Sequence, residues 1–354
     1  MELRQVHVRG SPRELGRAHG EELRSEIAAF MAQRLSAFRD YAAERGGDVS
    51  LEAFLACGER CLAVARDWDP DGTSELAGIA EGAGVDLGEL YAVTNMTDVR
   101  DVLLLGRSGG DEGCTALFSP AATEDAALTV AQTWDLNPTD LEYVIALHRK
   151  PSVGPETWSI TCAGSLSIMG MNADGVTIGT TNIKTRSARI GVGYLTILHR
   201  LIRARSFEEA SVLVERAPRA AAHTYWVADG LQGAEFECDA SEVVRRSMDV
   251  PFARTNHCLA SSLCAREGEP ATPSSRKRLA RAEVLLRERG GSVESIRELL
   301  ADRADGVDSI NRYTEDAQGT TTNACMIGVP RRRELWACRG PADRGVWAKL
   351  SFAD

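Results

Sequence analysis

The chain changes texture once, at Gly113-Cys114, and that change limits what it can become. Upstream, apolar residues recur at helical spacing: Leu15, Leu23, Ile27, Phe30, Met31 and Leu35 follow Ser11-Pro12, a good helix start with proline at the first helical position. Gly46-Gly47 is expected to end that helix, and further helices are expected over 51–66, 73–82 and 86–104. Downstream, short β-branched and aromatic segments take over at 114–119, 127–134, 142–149, 157–163 and 175–183, separated by turn residues. Helices are expected at 192–204 and 207–217, the second with Ser206 and Glu209 as a capping box. Strands follow at 223–229, 233–238 and 252–257, then helices at 274–289 and 293–302, then strands to the end. With no linker or internal repeat, this order predicts one α+β domain with a helical N-terminal segment.

Composition narrows the function classes. Forty-one Lys+Arg against 51 Asp+Glu give a formal charge of −10, which argues against a dedicated nucleic-acid or anionic-membrane binder. No apolar run is long enough for a transmembrane helix, and residues 1–16 lack the apolar stretch of a secretory signal. Nine scattered cysteines suit thiols kept reduced, so a cytoplasmic protein is expected. None of these cysteines forms a C-x₂-C pair or a four-ligand set, so no metal and no cofactor is expected.

The segment DEGCTALF (111–118) is where chemistry could sit. A two-residue hairpin loop at Glu124-Asp125 would pair it with ALTVAQTWD and set Cys114 opposite Asp135, and Ala116 opposite Thr133. On these residues alone a buried strand cysteine is the simpler reading. Asn172 lies in N-A-D-G, which is good turn chemistry, whereas Asn182 and Asn256 end strands and could equally bond local backbone. Asn256, within RTNHC, is the better functional candidate because an amide can donate to an oxyanion. Arg276, opening the 274–289 helix, reads on composition as a solvated arginine.

Taken together, D-E-G-C-T-A (111–116), A-Q-T-W-D (131–135), G-M-N-A-D-G (170–175), T-T-N (180–182), T-N-H-C (255–258), T-P-S-S-R (272–276) and S-P-R-E-L-G-R-A-H-G-E-E-L (11–23) carry a resemblance. The chain resembles the isopenicillin N acyltransferase family of N-terminal nucleophile cysteine hydrolases, and is more distantly similar to penicillin V acylases and bile-salt hydrolases. The resemblance implies a four-layer αββα sandwich made as a precursor that cuts itself between Gly113 and Cys114. Residues 1–113 would be the small chain or pro-segment and 114–354 the catalytic core, both parts of one compact domain. Cys114 would be the autoproteolytic and catalytic nucleophile, and Asp135 would hold the new α-amine. Asn256 would line the oxyanion hole, with Asn182 as a second asparagine there and Arg276 as a site arginine. Thr133 departs from the asparagine that the family often has before W-D, and Gln132, where the hydrolases have arginine and the acyltransferases glutamine, tilts the reading toward the acyltransferase branch. The implied substrate is a small amide or thioester, acyl-coenzyme A among them, in natural-product metabolism; an oligomer is left open.

Other motifs fail on context. GRSGG (106–110) matches a nucleophile elbow but leads into strand rather than helix. Ser274 and Lys277 form S-x-x-K without the rest of the penicillin-binding set. EGAGVDLGE (81–89) lacks the lysine and preceding strand of a phosphate loop. A different class stays open: an unprocessed relative that uses the fold for binding or assembly.

Overall fold

A computed structural model describes residues 1–44, 49–104, 113–121, 127–316 and 319–352. The expected helix end at Gly46-Gly47, the GRSGG segment and the hairpin loop at Glu124-Asp125 lie outside the described residues. The strands are β1 Arg4–Gly10, β2 Gly113–Ser119, β3 Thr129–Leu136, β4 Val144–Pro151, β5 Thr157–Cys162, β6 Met169–Asn172, β7 Thr177–Asn182, β8 His223–Ala228, β9 Gly233–Cys238, β10 Val243–Ser247, β11 Phe252–Arg254, β12 Thr321–Val329, β13 Glu334–Arg339 and β14 Ala348–Leu350. The helices are α1 Pro12–Glu22, α2 Arg24–Glu44, α3 Leu51–Trp68, α4 Pro70–Ala83, α5 Leu87–Thr94, α6 Met96–Leu104, α7 Tyr194–Leu201, α8 Phe207–Arg216, α9 Ser261–Cys264, α10 Pro273–Arg289 and α11 Val293–Leu300.

Two sheets stack face to face. One runs β1-β4-β5-β6-β7-β8-β9-β10 and the other β11-β2-β3-β12-β13-β14. Among the described strands only the β1–β4 pair is parallel. Phe118 of β2 meets Trp226 of β8 edge-on across the interface, with ring centroids 5.8 Å apart. Helices α1, α7 and α8 cover the larger sheet, and α10 and α11 cover the smaller one. The architecture is an αββα sandwich.

Local chemistry starts the helices where the sequence places them. Side chains of Ser50, Asp69, Asp86, Ser206, Thr272 and Ser292 each accept a first-turn backbone N–H. At Ser11 it is the Glu14 carboxylate that accepts, from the Ser11 backbone N–H at 2.8 Å. Glu209 contributes less to its box than expected, bonding the Arg205 N–H instead of Ser206. Helices α1 and α4 touch backbone to backbone: a Cβ on Gly16 would lie 1.9 Å from the Glu75 carbonyl oxygen, and one on Gly78 2.3 Å from that of Arg13.

Several expectations need correction. The N-terminal stretch is not all helical, because β1 buries Val6 and Val8 on the edge of the larger sheet. The helix after Pro12 breaks at Leu23, and the one over 86–104 breaks at Asn95. The β2–β3 register is one residue off: Gly113, not Cys114, faces Asp135; Cys114 faces Trp134 and Ala116 faces Gln132. A slip of one exchanges sheet faces. Cys114, Ala116 and Phe118 pack in the core between the sheets, while Leu117 packs in the second core under α10 and α11.

The segment before Gly113 is built into the rest. Helix α7 leaves its first N–H groups without intrahelical partners. The Tyr91 hydroxyl accepts from Gly193 N–H at 2.9 Å, Asp98 Oδ2 from Tyr194 N–H at 2.7 Å and Asn95 Oδ1 from Leu195 N–H at 3.2 Å. A Cβ on Gly193 would fall 2.4 Å from Asn95 Oδ1, so glycine is required there. A buried ion pair of Glu75 on α4 with Arg149 on β4, 2.6 Å, ties the same segment to the larger sheet. No helix among the described residues is long and apolar enough to cross a membrane.

Candidate active site

The second residue of β2 is gripped from two sides. Cys114 N–H donates to Asn256 Oδ1 at 2.8 Å, and its carbonyl oxygen accepts from Arg278 Nη1 at 2.5 Å. Arg278 also donates to Thr115 Oγ1 at 2.9 Å and to Asn256 Oδ1 at 3.0 Å. Because Asn256 Oδ1 takes two donors, its Nδ2 carries the hydrogens, and one goes to the Asn182 carbonyl oxygen at 3.0 Å. Asn256 follows β11 directly, and its own N–H is held by Ser275 Oγ at the start of α10, 2.9 Å. The tip of β7, the turn after β11 and the first turns of α10 therefore converge on Cys114.

Strand alternation sends the Asp135 carboxylate toward the helix side, with Thr133 Oγ1 donating at 3.2 Å and Arg312 Nε 4.0 Å away. Burial pushes this carboxyl above its ordinary range, while the guanidinium groups of Arg312 and Arg278 pull it down. Gly113 lies against both partners: a Cβ there would sit 3.0 Å from Arg312 Cζ and from Asp135 Cβ. Glycine thus lets the guanidinium close over the Gly113–Cys114 segment.

On the other face of β2 a narrow cavity of about 30 Å³ is bordered by Cys114, Trp134, Asp135, Asn182, Tyr194 and His223, with Thr97 of α6. Such a volume holds a water, not a substrate. Beyond Asn182 and Asn256 a second small cavity is bordered by Lys184, Glu267, Glu269 and Thr272.

The structure gathers Gly113, Cys114, Asp135, Asn182 and Asn256, but not Arg276. Arg276 is exposed, and the arginine in the cluster is Arg278. The reason is helix phase. The buried stripe of α10 runs through Ser274, Ser275, Arg278, Ala282, Leu285 and Leu286, and position 276 lies off it. An arginine at 278 in step with an apolar stripe was the available signal. Arg312, which precedes β12, had none.

Asn172 is a turn residue, with Nδ2 donating to the carbonyls of Ile202 and Ala204 and Oδ1 accepting from Asp174 and Val176 N–H. Gln132 Oε1 accepts from Trp226 Nε1 and Thr180 N–H, a link between the sheets. His257 Nδ1 lies 2.8 Å from Ser275 Oγ, and burial beside Arg254, Arg276 and Arg278 lowers its pKa to about 4. Among the described residues no group of three His, Cys, Asp or Glu is arranged to hold a metal.

Comparison with solved structures finds a penicillin V acylase from Agrobacterium tumefaciens (TM-score 0.44, 12% identity, covering 67% of this chain and 86% of that one). It also finds a Caenorhabditis elegans ortholog of N-acylethanolamine-hydrolyzing acid amidase (TM-score 0.44, 11% identity, 62% and 93%). A third is a conjugated bile acid hydrolase from Clostridium perfringens (TM-score 0.40, 8% identity, 68% and 97%). The sandwich stands on the strand order itself, without these likenesses. A search of curated proteins returned no significant match. The family model for acyl-coenzyme A:6-aminopenicillanic acid acyl-transferase matches residues 122–343, a span that holds Asp135, Asn182, Asn256, Arg278 and Arg312. With more than half of its length matched, this chain belongs to that acyltransferase family and is an enzyme.

Proposed function

We propose that the chain cuts itself between Gly113 and Cys114 and then works as a cysteine acyltransferase or amidohydrolase on a small amide or thioester. The observation that carries this is the double grip on Cys114, with Asn256 on its N–H and Arg278 on its carbonyl. β11 ends opposite Ala116, so functional side chains rather than a neighbouring strand hold the Cys114 backbone.

In the cut, Cys114 Sγ bonds to the Gly113 carbonyl carbon and the Gly113–Cys114 C–N bond breaks. The nitrogen takes up the thiol proton, and water then hydrolyses the thioester. The products are a Gly113 carboxylate, a free Cys114 thiol and a free α-amine. A free α-amine has a pKa near 7.7–8.0 and a thiol near 8.5, so the new amine is a base matched to the thiol it activates. Asp135, opposite Gly113, would hold that amine, and an ammonium there would complete the pull of Arg312 and Arg278 on its buried carboxyl. Asn256 keeps one Nδ2 hydrogen to donate to a substrate oxyanion, with Asn182 beside it. Residues 1–113 would remain as a bound small chain, since Tyr91, Asn95 and Asp98 cap α7.

Incubating the protein with acyl-coenzyme A, with and without an added amine, separates transfer from hydrolysis. We expect thiol release and a Cys114-linked acyl mass. Turnover by Cys114→Ala would refute the mechanism. The second reading, a binding protein that is never cut, is favoured by one observation: the cavity beside Cys114 is too small for a substrate.

A further inference from the structure

The Cys114 cavity is also bordered by an imidazole, that of His223, to which the proposed self-cleavage and acylation assign no part. His223 starts β8, directly opposite Asn182 of β7, and is 2% exposed. Its Nε2 lies 2.6 Å from Asp98 Oδ1, and its ring stacks on Tyr194 with centroids 4.7 Å apart. Asp98 is itself fixed, because its second oxygen caps α7 through Tyr194 N–H. A carboxylate only accepts, so Nε2 carries the hydrogen, and Nδ1 of the uncharged ring presents a lone pair. Nδ1 has no hydrogen-bond partner among the described residues. A buried acceptor left unmade is a cost that a packing role does not explain.

We propose that His223, oriented by Asp98, is the proton acceptor of the second half-reaction, the step in which an amine or water takes the acyl group from Cys114. This rests on the proposed acyl-Cys114 intermediate. The acceptor's nitrogen or oxygen bonds to the acyl carbon as its proton passes to His223 Nδ1. The C–S bond breaks, its electron pair stays on Cys114 Sγ, and the resulting imidazolium returns the proton to that sulfur. The first half-reaction uses the Cys114 α-amine, so one site holds two bases for two steps. The upstream segment contributes through Asp98, which explains in chemical terms why it is knitted to β8.

The test separates the steps with p-nitrophenyl butyrate, whose phenolate reports acylation. In His223→Gln the Gln amide nitrogen can keep the donor toward Asp98 while the Nδ1 lone pair disappears. We expect normal self-cleavage and a normal phenolate burst, then steady turnover at least about 10²-fold slower, the scale of a lost general base. Hydroxylamine, a nucleophile that needs little base assistance, should restore most of the loss. Asp98→Asn gives a second route. With its oxygen kept on Tyr194 N–H, its NH₂ faces His223 and forces the proton onto Nδ1, so the same deacylation defect should follow. Unchanged steady turnover in His223→Gln, or a burst slowed as much as the turnover, would overturn the proposal. If wild type itself gives no acyl-Cys114 mass, the acyl-enzyme reading fails first, and His223 falls with it.

Discussion

Replacing Asn256 with aspartate removes one function and keeps the rest. Oδ1 would still accept from Cys114 N–H and from Arg278, now as a charge-assisted pair across the 2.8 and 3.0 Å contacts. What is lost is Nδ2: its donation to the Asn182 carbonyl at 3.0 Å becomes an oxygen–oxygen contact, and nothing is left to donate to an oxyanion. The opposed oxygens should cost about 1–3 kcal/mol, the scale of one unmade hydrogen bond, partly offset by the stronger pair with Arg278. The loss of an oxyanion donor should cost more in rate, about 10²–10³-fold, or roughly 2.7–4 kcal/mol of transition-state stabilisation. Asn256→Asp should therefore fold, with a urea midpoint close to wild type, while acylation by p-nitrophenyl butyrate slows by that factor. The assay counts turnover per cleaved molecule, because slower maturation can accompany the defect. Acylation at the wild-type rate in the cleaved fraction would refute the oxyanion role and leave Asn256 as a clamp on Cys114.

Arg278→Lys should destabilise and slow maturation, because a single ammonium cannot reach Cys114 O, Thr115 and Asn256 together, whereas Arg276→Ala should change neither; gel analysis of the fraction cleaved over time checks both. Gly78→Ala puts a methyl 2.3 Å from the Arg13 carbonyl oxygen and should cost about 1–3 kcal/mol by forcing α1 from α4, read as a fall in urea midpoint. Acid should weaken the fold in a defined window. Burial lowers the pKa of His19 to about 3 and of His257 to about 4, both from an unfolded value near 6.5. The unfolded chain therefore binds these protons first, so the stability they reflect is complete above pH 6.5 and is lost as pH falls toward 4 and then 3. The loss should be on the order of 3 kcal/mol for fully buried His19 and smaller for His257, which is partly exposed, seen in urea midpoints between pH 7 and 4, with His19→Gln flattening the profile.

Helices were legible because their starts carry local chemistry: Ser11-Pro12, Ser206 and Thr272-Pro273 each mark an observed helix start. Strand texture was equally readable, and β2, β5, β8 and β9 fall within a residue of their expected limits. What failed depended on partners far along the chain. The short, charged segment Arg4–Gly10 is a strand only because β4 supplies its hydrogen bonds some 140 residues later. The β2–β3 register needs the loop length, and one residue decides whether Cys114 or Gly113 faces Asp135. In the candidate site, Cys114, Asp135, Asn182 and Asn256, which the fold brings together, were singled out by their place in motifs, not by any property of the isolated residues. Arg278 was missed by two positions, although the apolar stripe of α10 marks its phase. Asp98 and His223, 125 residues apart, meet through the fold alone, and no local pattern joins them.

The claim on which the rest depends is that Cys114 becomes a chain terminus. Intact mass and N-terminal sequencing of the purified protein test it directly. The account predicts two associated chains in place of the 38.3 kDa precursor, one of residues 1–113 at about 12 kDa and one of residues 114–354 at about 26 kDa that begins with Cys114. Cys114→Ala should stay whole. A single uncut wild-type chain that still transfers acyl groups, or a cut at another peptide bond, would contradict it.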